Sequence, residues 1–150
     1  MKSIIRFLAT GCYTGEMPII PGTWGTLPGL ALAIFVFGVD VQFQILITAG
    51  VIAISVVVAS LAEKEFGHDA KPIVIDEVAG MLVTLVFVPR VWYYYLLGFV
   101  LFRAMDVLKL YPARKFESLP SGWGVTADDV AAGVYANILL QVVVHFTKTL

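Results

Sequence analysis

The sequence predicts an all-α protein, a compact multihelical membrane bundle of about five helices, some short or partly spanning, in one domain over residues 1–150. Three observations predict it. Hydrophobic residues make up 59% of the chain and the mean hydropathy is +0.90, well above the roughly 45–50% apolar content of soluble domains. Mostly apolar stretches without charge run Leu27–Val39, Val41–Ala62, Val78–Pro89, Val91–Phe102 and Val130–Thr147. None of them alternates with period 2, and a chain facing lipid satisfies its backbone through helices or a closed barrel.

The elements follow in order. Met1–Leu8 sets Ile4, Ile5, Phe7 and Leu8 between Lys2 and Arg6, the pattern of a short amphipathic helix lying at a membrane interface. Gly, Thr and Pro follow it instead of an apolar core, so it does not read as a signal peptide. Of the five apolar stretches, only the second and fifth approach the roughly 20 residues that cross a bilayer core. The others extend into charged flanks, tilt or stop partway. Gly38-Val39-Asp40 and Pro89-Arg90 are tight turns, whereas Gly11–Pro28, Glu63–Ile75 and Leu110–Ala127 are long and hold most of the Gly, Pro and charge. In an antiparallel bundle alternate connections share a face, so the three rich loops are expected together. Lys2, Arg6, Lys64, Lys71, Arg103, Lys109, Arg114 and Lys115 fall on or near that face, against Arg90 and Lys148 opposite; the positive-inside bias makes it cytoplasmic. A net charge of −1 argues against nucleic acid as a partner. The single cysteine, Cys12, excludes an internal disulfide and a Cys-rich zinc site and is expected buried or interfacial.

Four stretches carry chemistry. Asp76-Glu77 opens an otherwise apolar helix, where paired carboxylates are costly unless a divalent cation or the helix dipole offsets them; simple N-terminal capping is the alternative. Arg103, Asp106 and Lys109 recur every third residue and lie on one helical stripe. That arrangement suits a metal-binding acid beside groups that neutralise phosphate oxygens, and equally an intrahelical salt-bridge ladder. Asp128-Asp129 opens the last helix, where Ala131, Ala132, Gly133 and Ala136 permit close helix approach and Asn137 is expected to hydrogen-bond between helices. Pro18-Ile-Ile-Pro-Gly-Thr-Trp-Gly-Thr precedes the first long helix; its glycine turns and the hydroxyls of Thr23 and Thr26 suit an anion, or ordinary capping. Lys71 and His68 stand in the middle rich loop, His68 as a general acid or base or as a solvated loop residue.

Taken in this order, the stretches resemble the phosphatidylglycerophosphatase A family of bacterial inner membranes, from Gly15 to about Asn137. The most specific pieces are Pro18-x-x-Pro-Gly-Thr-x-Gly, Asp76-Glu77-x-x-Gly80, Phe102-Arg-x-x-Asp106-x-x-Lys109 and Gly124-Val-x-x-Asp128-Asp129-x-x-Ala-Gly. The resemblance implies Mg²⁺-dependent hydrolysis of the phosphomonoester of phosphatidylglycerophosphate to phosphatidylglycerol and inorganic phosphate. Asp76, Glu77, Asp106, Asp128 and Asp129 are then expected to hold Mg²⁺ and, with Arg103, to carry catalysis; Arg103, Lys109, Lys71, His68, Thr23 and Thr26 are expected around the phosphate. No nucleophilic side chain is required, although an aspartyl-phosphate route stays open. The chain departs from the family pattern at Leu110, in place of the first proline of a Lys-Pro-x-Pro turn, at Ser121, in place of the first of two glycines, and at Thr126, in place of a methionine. None removes an ionisable group.

Two other readings compete. One is a phosphatase of another phospholipid or of a prenyl phosphate, although the Ser-Gly-His turn of histidine-dependent lipid phosphatases is absent. The other is a cation-binding membrane transporter or scaffold, which predicts acids at midplane depth instead of near helix ends.

Overall fold

The computed structural model describes residues 3–67, 70–111, 113–116 and 118–148. Among these residues the order is α1 (Ser3–Ala9), a 3-10 turn (Thr14–Glu16), α2 (Pro21–Val36), α3 (Val41–Phe66), α4 (Ile75–Leu85), α5 (Trp92–Leu108), α6 (Ala113–Phe116) and α7 (Gly122–Lys148). The all-α class is as expected, but the count is seven α-helices, not about five. The five apolar runs became α2, α3, α4, α5 and α7. The interfacial segment became α1, and the four-residue α6 is too short to leave a periodic trace in sequence.

The starts of α2 and α7 lie well before their apolar runs. Pro21 occupies the first position of α2, where its fixed φ suits a helix and its missing N–H costs nothing. Ile20 caps this start in a left-handed conformation, φ 48°, its carbonyl accepting the N–H groups of Thr23 and Trp24 at 3.0 and 3.3 Å. The Pro-Gly-Thr segment thus forms the first turn of α2 instead of preceding it. Likewise α7 begins at Gly122, so Asp128 and Asp129 stand in its second turn, not at its opening.

The centre of the bundle is α4. Nine of its eleven residues are buried, and α2, α3, α5 and α7 surround it. At eleven residues it is too short to cross a bilayer. Its far end lies in apolar surroundings, where free backbone groups are costly. Asn137 Nδ2 therefore donates to the carbonyls of Thr84 and Val86, both at 2.8 Å, Gln141 Nε2 donates to Val86 at 3.3 Å, and Gln44 Oε1 accepts the Phe87 N–H at 3.4 Å. Asn137 is the interhelical hydrogen-bonder its position suggested. Met81, Leu82, Leu85, Phe102, Ala136 and Leu140 are fully buried around it.

Close approach of α4 and α7 depends on two glycines. A Cβ at Gly133 would lie 2.5 Å from the Gly80 carbonyl, and one at Gly80 would lie 2.8 Å from the Asp129 carbonyl and 2.5 Å from the Phe102 ring. This contact draws the second turn of α7 onto the first turn of α4. Both α3 and α7 are long and apolar enough to cross a membrane.

The long helices alternate in direction. At one end Arg90 Nη2 donates to the Ile34 carbonyl at 2.6 Å, and Tyr94 meets Thr147 at 2.5 Å between hydroxyls. At the other, the Gly122 N–H donates to Ser60 Oγ at 3.1 Å and the Val74 N–H to the Ala9 carbonyl at 2.8 Å. The three rich connections gather at this second end, as expected. Cys12 lies there in a left-handed turn, φ 60°, and is exposed, not buried.

Candidate active site

A cleft of about 550 Å³ opens at the end that holds the rich connections. One wall is the first turn of α2, with Ile20, Gly22 and Thr23; another is the last turn of α5 with its following residue, with Arg103, Asp106, Val107 and Lys109. Asp76 and Glu77 of α4 and Asp128 and Asp129 of α7 also line it, and Lys71, on the loop before α4, is exposed at its edge.

The five acids divide into three and two. Asp76, Glu77 and Asp129 each direct an oxygen to within 4.8 Å of the other two. Asp76 and Asp129 are only 6% and 4% exposed, and Asp76 Oδ1 and Glu77 Oε2 are buried without a hydrogen-bond partner among the described residues. Orphaned carboxylate oxygens facing one another are costly. Burial, reinforced by the Glu77 charge, raises the Asp76 carboxyl well above the usual range. Burial and the charge of Asp129 push Glu77 up to about 8, only partly opposed by a hydrogen bond with Asp76 and by the charge of Arg103. The trio is a set of hard oxygen donors whose mutual repulsion a divalent cation removes, and it fits such a cation.

Asp106 and Asp128 lie in the same cleft outside the trio, each held by a base. Arg103 Nη1 pairs with Asp106 Oδ2 at 2.8 Å, and Lys109 Nζ with Asp128 Oδ2 at 3.3 Å. The three-residue spacing on α5 is therefore both an intrahelical ion pair and part of the cleft. Lys109 reaches α7 because it ends α5 in a left-handed conformation, φ 44°. Asp128 Oδ1 also accepts the Asp129 N–H at 3.0 Å.

The threonines separate. Thr23 lines the cleft, whereas Thr26 is fully buried, donates to the Gly22 carbonyl at 2.8 Å and accepts from Arg103 Nη1 at 3.4 Å. Thr26 thus holds the arginine and does not face the cleft. His68 lies outside the described residues. Sequence reasoning missed Gly22, where a Cβ would stand 2.6 Å from Glu77 Oε1 and 3.0 Å from Arg103 Nη2. The Pro-Gly-Thr motif was its only signal. It also missed the apolar lining residues Ile20 and Val107, which carry no chemical mark.

The positive end of α2, an arginine and a lysine facing convergent carboxylates are the equipment of a phosphoryl-transfer enzyme on an all-helical scaffold. The sequence model of phosphatidylglycerophosphatase A matches residues 7–144. The chain belongs to that family, and it is a phosphatase. It is 35% identical to phosphatidylglycerophosphatase A of Haemophilus influenzae over 140 residues, 91% of this chain and 86% of the relative. Against phosphatidylglycerophosphatase A of Escherichia coli the identity is 35% over 148 residues, 97% and 86% of the two chains. A Bacteroides thetaiotaomicron protein provisionally named a phosphatidylinositol-3-phosphatase is also 35% identical, over 90% of each chain. No solved structure matches the chain.

Proposed function

We propose that the protein hydrolyses the terminal phosphomonoester of phosphatidylglycerophosphate to phosphatidylglycerol and inorganic phosphate, at the cytoplasmic face of a bacterial inner membrane and with Mg²⁺ as cofactor. The observation that carries this reading is the convergence of Asp76, Glu77 and Asp129 beside Arg103, in a member of this family. Mg²⁺ is preferred to softer metals because every donor is a carboxylate oxygen. When bound, it supplies charge neutralisation at the phosphoryl group and a water acidified for attack.

The remaining roles fall to the chain. Arg103, fixed by Asp106 and Thr26, turns its fork toward the phosphate; its Nε is buried with no partner among the described residues. Lys109, at the end of the same helix, neutralises a further oxygen. The first turn of α2 brings its positive end and Thr23 to the phosphate. Water attacks phosphorus, the bond from phosphorus to the glycerol oxygen breaks, and that oxygen leaves with a proton. Asp106 and Asp128 keep both bases oriented between turnovers. The charge distribution along the sequence supports the cytoplasmic orientation.

Phosphate release from purified protein, with and without Mg²⁺, tests the reading. Phosphatidylglycerophosphate is expected to turn over only with the metal. Cleavage of phosphatidate or a prenyl pyrophosphate instead would overturn the substrate assignment. Because the Bacteroides relative is equally similar, phosphatidylinositol 3-phosphate belongs in the same assay, and its preference would establish a second reading in which the head group differs. The transporter reading loses support because the acids share one cleft at one end of the bundle.

A further inference from the structure

The cleft is polar within, yet two of its lining residues are exposed and apolar. Ile20, on the α2 side, is 60% exposed, and Val107, on the α5 side, is 74% exposed. From this mouth a stripe of residues runs down each helix. On α2, Thr23, Leu27, Leu30 and Ile34 follow at spacings of four, three and four; on α5, Val107, Arg103, Val100 and Leu96 do the same in reverse. Both stripes begin in the cleft and end in a second, apolar hollow of about 270 Å³ that Leu30, Ile34 and Leu96 help to line at the far end of the bundle. Leu27, Ile34, Val100 and Leu96 are all partly exposed. Although α2 and α5 flank the same cleft, they touch sparsely, while α4 and α7 between and behind them pack tightly. The seam between the stripes thus leads from the phosphate cleft toward that hollow, with Leu27, Val100 and Leu96 exposed along it.

We propose that this seam seats an acyl chain of the lipid monophosphate substrate: the phosphate enters the cleft while one chain leaves between Ile20 and Val107 and lies along α2 and α5. The proposal rests on the lipid-phosphatase reading and adds to it where the apolar part of the substrate goes. The lengths agree. From Ile20 to Ile34 the helix rises about 21 Å, enough for a chain spanning one leaflet of a hydrocarbon core about 30 Å thick. The seam recognises the apolar chain and leaves the head group to the polar wall, so lipids with different phosphorylated head groups present the same apolar portion to it.

The test compares phosphatidylglycerophosphate with sixteen-carbon chains against its four-carbon analogue, both in detergent micelles with Mg²⁺, using wild type, Leu27→Trp, Val100→Trp and, as a control on the exposed outer face of α3, Leu46→Trp. Filling the seam is expected to lower the long-to-short ratio of kcat/KM about tenfold, equivalent to about 1.4 kcal/mol, with the control ratio equal to wild type. Equal losses on both substrates in Leu27→Trp and Val100→Trp, or the same ratio change in Leu46→Trp, would overturn the seam while leaving the phosphatase reading intact. If wild type cleaves neither substrate, the functional reading falls and the seam with it. Circular dichroism and the thermal midpoint of each variant separate misfolding from a change in ratio.

Discussion

A Cβ placed on Gly80 would lie 2.8 Å from the Asp129 carbonyl. That distance is why an acid of α7 can share a site with two acids of α4. In Gly80→Ala the helices must move apart or the Phe102 ring must shift, at a cost of about 1–3 kcal/mol. Phosphate release is expected to fall more than tenfold, with a lower thermal midpoint in detergent. An unchanged rate would show that the spacing of α4 and α7 does not govern the site.

Replacing one member of the trio separates catalysis from stability. Asp76→Asn and Asp129→Asn are each expected to reduce turnover by about 10²–10³-fold, the scale of a lost electrostatic group in an active site. In the absence of metal both variants should melt at or above wild type, because a buried charge repelled by its neighbours has gone. Titration with Mg²⁺ should raise the midpoint of wild type by mass action and that of the variants far less. Variants that remain active and respond normally to Mg²⁺ would exclude these residues from the site.

Glu77 gives a pH dependence of definite sign. Its carboxyl is raised from 4.5 to about 8 in the folded protein, so between those values the folded state holds more protons than the unfolded state. Its contribution to stability is therefore complete below about pH 4.5 and lost as pH rises through 8. Metal-free protein is expected to show a falling thermal midpoint across this window. Glu77→Gln should flatten the slope, as should Mg²⁺ in wild type. A midpoint in Glu77→Gln that falls as steeply as in wild type would contradict the assignment.

Thr26 acts through Arg103 and is expected to show the signature of a positioning residue. Thr26→Val removes the hydroxyl that accepts from Arg103 Nη1 at 3.4 Å and donates to Gly22. Activity should drop about tenfold, on the scale of one lost hydrogen bond to a charged group, and Thr26→Ser should restore it. A Val variant as active as wild type would show that the hydroxyl does not position Arg103.

Ser121 carries a left-handed backbone, φ 58°, at the position where relatives in this family are expected to have glycine. A non-glycine residue in that region costs about 1–2 kcal/mol. Ser121→Gly should therefore raise the thermal midpoint without changing kcat/KM. Gly122 does not tolerate the reverse change, because a Cβ there would collide with the Val56 carbonyl. A lower midpoint in Ser121→Gly would show that the serine contributes something the backbone strain does not offset.

Much of this site was legible because its chemistry is carried by residue types that are expensive in an apolar chain. Asp76, Glu77, Asp106, Asp128, Asp129, Arg103 and Lys109 stand out from their surroundings in the sequence, and all seven line one cleft. The Arg103–Asp106 pair was legible from its three-residue spacing, but the Lys109–Asp128 pair was not, since it depends on the left-handed turn at Lys109 and on the packing of α5 against α7. The first turn of α2 read as a loop because Pro, Gly and Thr mark turns and helix starts alike. Thr23 and Thr26 could not be told apart until the helix began at Pro21 and set Thr26 one turn further in, where it is fully buried. Gly22 contributes by lacking a side chain, a property that no residue-type signal reveals.

The site draws on α2, α4, α5 and α7, and α7 comes last in order among the described residues. During synthesis the phosphatase is therefore incomplete until its C-terminal segment is in place. A chain halted before Gly122 presents Asp76 and Glu77 without Asp129, and α4 without the amides of Asn137 and Gln141 that close its far end. A product terminated there lacks one acid of the trio and leaves the carbonyls of Thr84 and Val86 without these donors.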